Sequence, residues 1–205
     1  MILKTKNFYL RPFRESDFDA WCEWVKSSEA IDYLSADFSE EKAKKILDKF
    51  IKSWQDFGFT KFAVFTNDSE ELVGYAGFAL LDDREISENQ LPENECNKNI
   101  RKFACKNDQE SSGDLELGYR LHKKFWGKGY ASELAGALCA WAFKKFPINR
   151  IVAVTELLNI ASQKVLLKNG FEYVGKVNSK KYGEELFYFI KNPDEEMGIW
   201  GQYTN

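Results

Sequence analysis

Leu115-Glu116-Leu117-Gly118-Tyr119-Arg120-Leu121-His122-Lys123-Lys124-Phe125-Trp126-Gly127-Lys128-Gly129-Tyr130-Ala131-Ser132-Glu133 is the stretch on which the reading of this chain turns. Leu115, Leu117, Tyr119 and Leu121 alternate with Glu116, Gly118 and Arg120, the period expected of a half-buried strand. A basic connector and two glycines follow. From Tyr130 to Phe146 the period becomes helical, with Leu134, Ala137, Leu138, Trp141 and Ala142 on the inward side. Glycines at a strand-to-helix turn take angles that side chains forbid and let the backbone approach a ligand closely. The amides beyond them point off a helix N-terminus, where unpaired N–H groups and the helix dipole favour an anion. The turn therefore reads as a seat for a diphosphate.

A nucleotide P-loop requires a hydroxyl residue after the lysine, but Gly129 follows Lys128. A Rossmann fingerprint requires a third glycine, but position 132 is Ser. The run Gly127-Lys128-Gly129-Tyr130-Ala131 instead resembles the acetyl-coenzyme A pyrophosphate loop of the GNAT N-acetyltransferases, Gln/Arg-x-x-Gly-x-Gly/Ala. Trp126 at its first position looks like the RimJ/RimL branch, which modifies ribosomal proteins. Downstream, Arg150-Ile151-Val152-Ala153-Val154 reads as a strand apolar on both faces. Asn159-x-x-Ser162, about two helical turns and Gly170-Phe171 come next, similar to the second coenzyme-binding motif of that family. Leu10-Arg11-Pro12-Phe13 before Asp17, and Leu72-Val73-Gly74-Tyr75-Ala76-Gly77, resemble its N-terminal half.

The resemblance implies an α/β (α+β) chain forming a single GNAT-type domain over residues 1–205. Its mixed, mostly antiparallel sheet would have about six to seven strands, splayed between the fourth and fifth and flanked by about four helices. A bulged strand at such a splay leaves backbone groups unpaired, and a pantetheine arm can pair with them as an added strand would. This assigns coenzyme contacts to Leu117, Gly118 and Tyr119, with Trp126 at the head of the loop. The pyrophosphate falls to Gly127, Lys128, Gly129, Tyr130 and Ala131, with Ser132 at the end of the seat. Asn159 and Ser162 hold the arm from the other side.

The implied reaction is direct acetyl transfer from acetyl-CoA to a primary amine, on a protein N-terminus or a small molecule. Glu116 is the first candidate base, acting directly or through a water, provided that its side chain faces the acceptor. Many relatives carry a tyrosine acid in the helix after the Asn, but here that position is Leu166; Ser162, one turn into the helix, looks like the substitute in the RimJ/RimL branch, either as donor to the departing thiolate or as a group that only orients the sulfur. Polyamine or aminoglycoside acetylation is the alternative acceptor class. A coenzyme-binding module without catalysis is the alternative of a different kind. His122, the sole histidine, and Glu133 read as surface and first-turn charges.

A net charge of −3 gives no general surface for nucleic acid or membrane, and no apolar run is long enough to cross a bilayer. Cys22, Cys96, Cys105 and Cys139 show no metal-ligand spacing, so they read as reduced thiols of a metal-free cytoplasmic protein, monomer or homodimer. Phe8 to Phe13 reads as a strand. Ser16 and Asp17 cap a helix carrying Phe18, Trp21, Trp24 and Val25, and Ser39 starts a second helix that stops near Gly58. Phe62 to Phe65 and Leu72 to Leu80 form a hairpin around Asn67-Asp68-Ser69-Glu70. Residues 82–113, rich in charge and interrupted by Pro92, read as an insertion loop. Glu172 to Val177 and Glu184 to Lys191 close the sheet, joined around Lys181-Tyr182-Gly183.

Overall fold

The computed structural model describes residues 3–27, 39–69, 71–81, 102–104, 110–112, 114–179 and 183–193. The strands are β1 (Leu3–Lys4), β2 (Phe8–Arg11), β3 (Lys61–Thr66), β4 (Leu72–Leu80), β5 (Lys102–Ala104) and β6 (Glu110–Ser112), followed by β7 (Leu115–Leu121), β8 (Arg150–Glu156), β9 (Glu172–Ser179) and β10 (Gly183–Lys191). The α-helices are α1 (Phe18–Lys26), α2 (Glu40–Phe57), α3 (Tyr130–Lys145) and α4 (Ile160–Lys168). One sheet runs in the order β1-β2-β3-β4-β7-β8-β10-β9, and all its pairs are antiparallel except β7 with β8. The expected strands are all present, and the two-residue β1 adds an edge. Within the insertion, β5 and β6 pair as a separate antiparallel ribbon. The remainder of 82–113, residues 180–182 and residues 194–205 lie outside the described residues.

Each face of the sheet is covered by one pair of helices. Helix α3 buries Leu134, Leu138 and Ala142 against Leu115, Leu117, Leu121, Val64 and Phe78. On the opposite face α1 and α2 bring Trp21, Trp24 and Leu47 onto Ala63 and Phe65. Helix α2 starts and stops where its sequence indicates. Ser39 Oγ accepts the Lys42 N–H at 3.1 Å, and Gly58 closes the helix with a left-handed φ of 78°.

Helix α1 begins differently from the expectation that Asp17 acts as its cap. A 3-10 turn, Glu15–Asp17, precedes it, and no side-chain cap bond forms. The Asp17 carboxylate instead takes a two-pronged bond from Arg11 (2.7 Å on each oxygen) and a third from the Arg14 N–H at 2.7 Å. A buried carboxylate needs such a cation, and Arg11 outcompetes the helix amides for it. Burial raises the Asp17 pKa, but the Arg11 guanidinium and the Arg14 amide outweigh it and hold the group below the usual value.

The element that positions the site is the break between β7 and β8. They are in register only at Leu115–Ile151 and Glu116–Val152. Beyond that point β7 stays paired with β4 from Leu115 to Leu121, while β8 stays paired with β10 out to Glu156. The register of β7 on β4 is unbroken, so the strands part without the bulge that the sequence reading invoked. The closed end is clasped by Arg150, whose Nε and Nη2 donate to the Asp114 carboxylate at 3.0 and 2.6 Å.

Candidate active site

The splay opens into a cleft of about 440 Å3 that is lined from both faces of the sheet. On the α1/α2 face it meets Trp21, Ile46, Phe50, Lys61, Tyr75, Glu116 and Arg120. On the α3/α4 face it meets Leu117, Tyr119, Asn159, Ser162 and Leu166. The two sides connect through the sheet where β7 and β8 diverge.

Antiparallel pairing decides which β7 backbone groups face the gap. The His122 N–H donates to Val73 O at 2.8 Å and the Leu81 N–H donates to Asp114 O at 3.1 Å, which marks these as hydrogen-bonded pairs. By alternation Glu116, Gly118 and Arg120 turn their N–H and C=O groups to β4, whereas Leu117 and Tyr119 turn theirs into the splay. Gly118, expected to offer backbone to a coenzyme, therefore has a different local role. A Cβ at Gly118 would lie 2.5 Å from Lys61 Nζ. Lys61, Gly77 and Gly118 stand in one cross-strand row. The lysine lies across the two glycines and donates to the main-chain O of Gly77 and of Glu116, both at 3.2 Å.

Glu116 is only 3% exposed and shares the α1/α2 side of the cleft with Lys61 and Arg120. Sequence reasoning missed Glu185. On β10, in register with Glu156, it is also 3% exposed and lines the same cleft. Its signal was weak, because an acidic residue near a hairpin turn reads as solvated. Lys61 was equally invisible, since only the cross-strand register carries it to the site.

On the opposite face the Asn159 Oδ1 caps α4 by accepting the Ser162 N–H at 3.0 Å. The Tyr119 hydroxyl lies 3.1 Å from Ser162 Oγ and 3.4 Å from Ser162 O, so strand and helix meet across the splay. Burial pushes the Tyr119 phenol up to about 12, only partly offset by the bond with Ser162. Leu166 is 1% exposed and adds an apolar wall where a tyrosine was the alternative.

The glycine turn lies at the head of α3. Gly127 and Gly129 have φ of 73° and 81°, and no heavy atom stands within 4 Å of a Cβ built on either. The first intrahelical bond is Glu133 N–H to Gly129 O at 3.1 Å, so the preceding amides of Tyr130, Ala131 and Ser132 emerge from the helix end. Trp126 is exposed, with its Nε1–H donating to Leu121 O at 2.7 Å. Lys123 and Lys128 are exposed beside it, and Lys124 pairs with Glu71. A positively biased, open cradle of amides fits a diphosphate, and the polar backbone of Leu117 and Tyr119 fits an amide-bearing arm.

Glu133 takes the Asn7 N–H at 2.8 Å and the Asn7 Nδ2 at 2.6 Å, tying α3 to the β1–β2 turn. Burial raises its pKa, but bonds from Thr5 and Asn7 outweigh that and hold it below the usual range. His122 is half-buried at the end of β7 and does not line the cleft.

The sheet is parted between two parallel strands, with outward-facing amides at the head of one crossover helix and a capped helix facing it across the gap. The acetyltransferase (GNAT) domain model matches residues 7–172, and the chain belongs to that family, whose members use acetyl-CoA. It is an N-acetyltransferase. The uncharacterized N-acetyltransferase YnaD of Bacillus subtilis is 26% identical over 196 residues, covering 93% of this chain and 96% of the relative. A GnaT-family acetyltransferase from Bordetella pertussis superposes with a TM-score of 0.70 at 20% identity, covering 92% of this chain and 98% of that one. RimL, a ribosomal L7/L12 alpha-N-protein acetyltransferase solved with coenzyme A, superposes at 0.67 with 20% identity, covering 93% and 98%. No helix among the described residues is long and apolar enough to cross a membrane.

Proposed function

We propose that this enzyme acetylates a primary amine on a protein N-terminus or a small molecule, by direct transfer within the split-sheet cleft. The observation that carries the reading is the cleft itself. It joins Glu116 on the α1/α2 face to Ser162 on the α3/α4 face through the gap between β7 and β8. Acetyl-CoA supplies an activated carbonyl and a thiolate leaving group. The amides from Gly127 to Ser132 bind the diphosphate, and the Leu117 and Tyr119 backbone pairs with the pantetheine arm. Glu116 takes the proton of the acceptor amine, directly or through a water, and Ser162 donates a hydrogen bond to the departing sulfur. Alignment of amine and carbonyl across the gap removes the entropy of a bimolecular encounter.

A second acceptor class, a polyamine or aminoglycoside, is favoured by the carboxylates of Glu116, Glu156 and Glu185 on the cleft wall and opposed by Lys61 and Arg120. The buried thiols of Cys22 and Cys139 accord with a reducing cytoplasm. The test is calorimetric titration with acetyl-CoA, followed by a thiol-release screen over N-terminal peptides, polyamines and aminoglycosides. Turnover with one class identifies the acceptor; binding without turnover on any would remove the proposal.

A further inference from the structure

Ser162 has a neighbour whose position no part of the mechanism above explains. Tyr119 comes from β7, on the far side of the splay, yet among the described residues both oxygens within reach of its hydroxyl belong to Ser162. The Oγ, at 3.1 Å, is nearer than the main-chain O at 3.4 Å. Leu166, one turn further along α4, offers no donor to the cleft.

We propose that Tyr119 is a positioning residue for the leaving group: its hydroxyl donates to Ser162 Oγ and so turns the serine proton into the cleft, toward the sulfur. The inference rests on the reading of Ser162 given above. A serine hydroxyl holds one proton and rotates to suit its partners. If Ser162 donated to Tyr119, that proton would be spent and the phenol proton would be left with only the longer contact. With Tyr119 as donor, both protons are placed, and each bond strengthens the next. As the nitrogen–carbon bond forms and the carbon–sulfur bond breaks, the electron pair passes to sulfur and the amine proton passes to Glu116. Tyr119 and Ser162 keep their protons throughout and act as donors only. Burial, which pushes the phenol up to about 12, keeps it protonated over the working range of pH.

The test reads the thiol of bound coenzyme A rather than turnover. Reduced coenzyme A is titrated on the wild type, Tyr119→Phe, Ser162→Ala and the double variant. Thiolate ultraviolet absorbance is recorded against the same protein carrying desulfo-coenzyme A, and calorimetry gives each protein's coenzyme affinity, so that every thiol is read at saturation. A donor to the thiolate holds its proton affinity down, so Ser162→Ala should raise that affinity about tenfold. Tyr119→Phe should raise it about threefold in the wild type and not at all in the Ser162→Ala background. Failure of the wild type to bind coenzyme A would overturn the site and this inference together. An unaltered thiol in Ser162→Ala would overturn the role of Ser162. A thiol that responds to Ser162→Ala but not to Tyr119→Phe, or responds equally to Tyr119→Phe in both backgrounds, would overturn the role of Tyr119 alone.

Discussion

Gly129 allows backbone strain and ligand charge to be separated at one position. Its φ of 81° lies in the left-handed region, and nothing stands within 4 Å of an added Cβ. Alanine there meets no clash and costs only the backbone term, about 1–2 kcal/mol. For a chain of this size that is a fall in Tm of about 2–8 °C. Glutamate and lysine at the same position carry the same backbone cost and differ in charge. With an effective dielectric of about 20 and a separation of about 6 Å, each unit charge facing a phosphate contributes about 3 kcal/mol, roughly a hundredfold in affinity. Gly129→Ala should therefore melt earlier and bind acetyl-CoA with little loss. Gly129→Glu should melt with Gly129→Ala but bind at least a hundredfold more weakly, and Gly129→Lys should bind no worse than Gly129→Ala. Calorimetry on the three variants measures this. Equal affinities for the glutamate and lysine variants would refute a diphosphate seat at the head of α3.

Glu116→Gln is expected to lower kcat by about 10²–10⁴-fold with the amine found in the screen, leaving acetyl-CoA affinity unchanged; a loss in Glu185→Gln instead would move the base to β10. Asp17 titrates below its ordinary value because Arg11 and the Arg14 amide outweigh the effect of burial, so its contribution is complete above the unfolded pKa of about 3.9 and is lost as pH falls through the lower folded value. Asp17→Asn should thus destabilise by about 1–3 kcal/mol near neutral pH, and urea melts should show the gap to wild type closing in acid. Gly118→Ala should displace the Lys61 ammonium from its two carbonyl partners. It should cost about 1 kcal/mol in thermal melts, with Lys61→Met adding little in that background; additive losses would show that the row is not coupled.

The elements were largely legible because their signals are local. Ser39 and Gly58 bound α2, Asn159 caps α4, and Gly127 and Gly129 turn the chain into α3 with the left-handed angles that glycine permits. The start of α1 was misread because the carboxylate of Asp17 has two possible partners, and the half-buried Arg11 at the end of β2 binds it more strongly than helix amides do.

By itself, the sequence determined the strand and helix periods, the glycine turn and the order of the two motifs, since each depends on residues close together in the chain. Only the tertiary structure decided which chemistry meets in the cleft. Strand register turns Glu116 to the α1/α2 side of the cleft and brings Lys61 across Gly77 and Gly118. The antiparallel β8–β10 pair carries Glu185 in from near the end of the chain. The parting of β7 from β8 lets Tyr119 reach Ser162. These contacts join residues far apart in sequence through sheet pairing, and hydrogen-bond register between distant strands leaves no mark in the local pattern of either one.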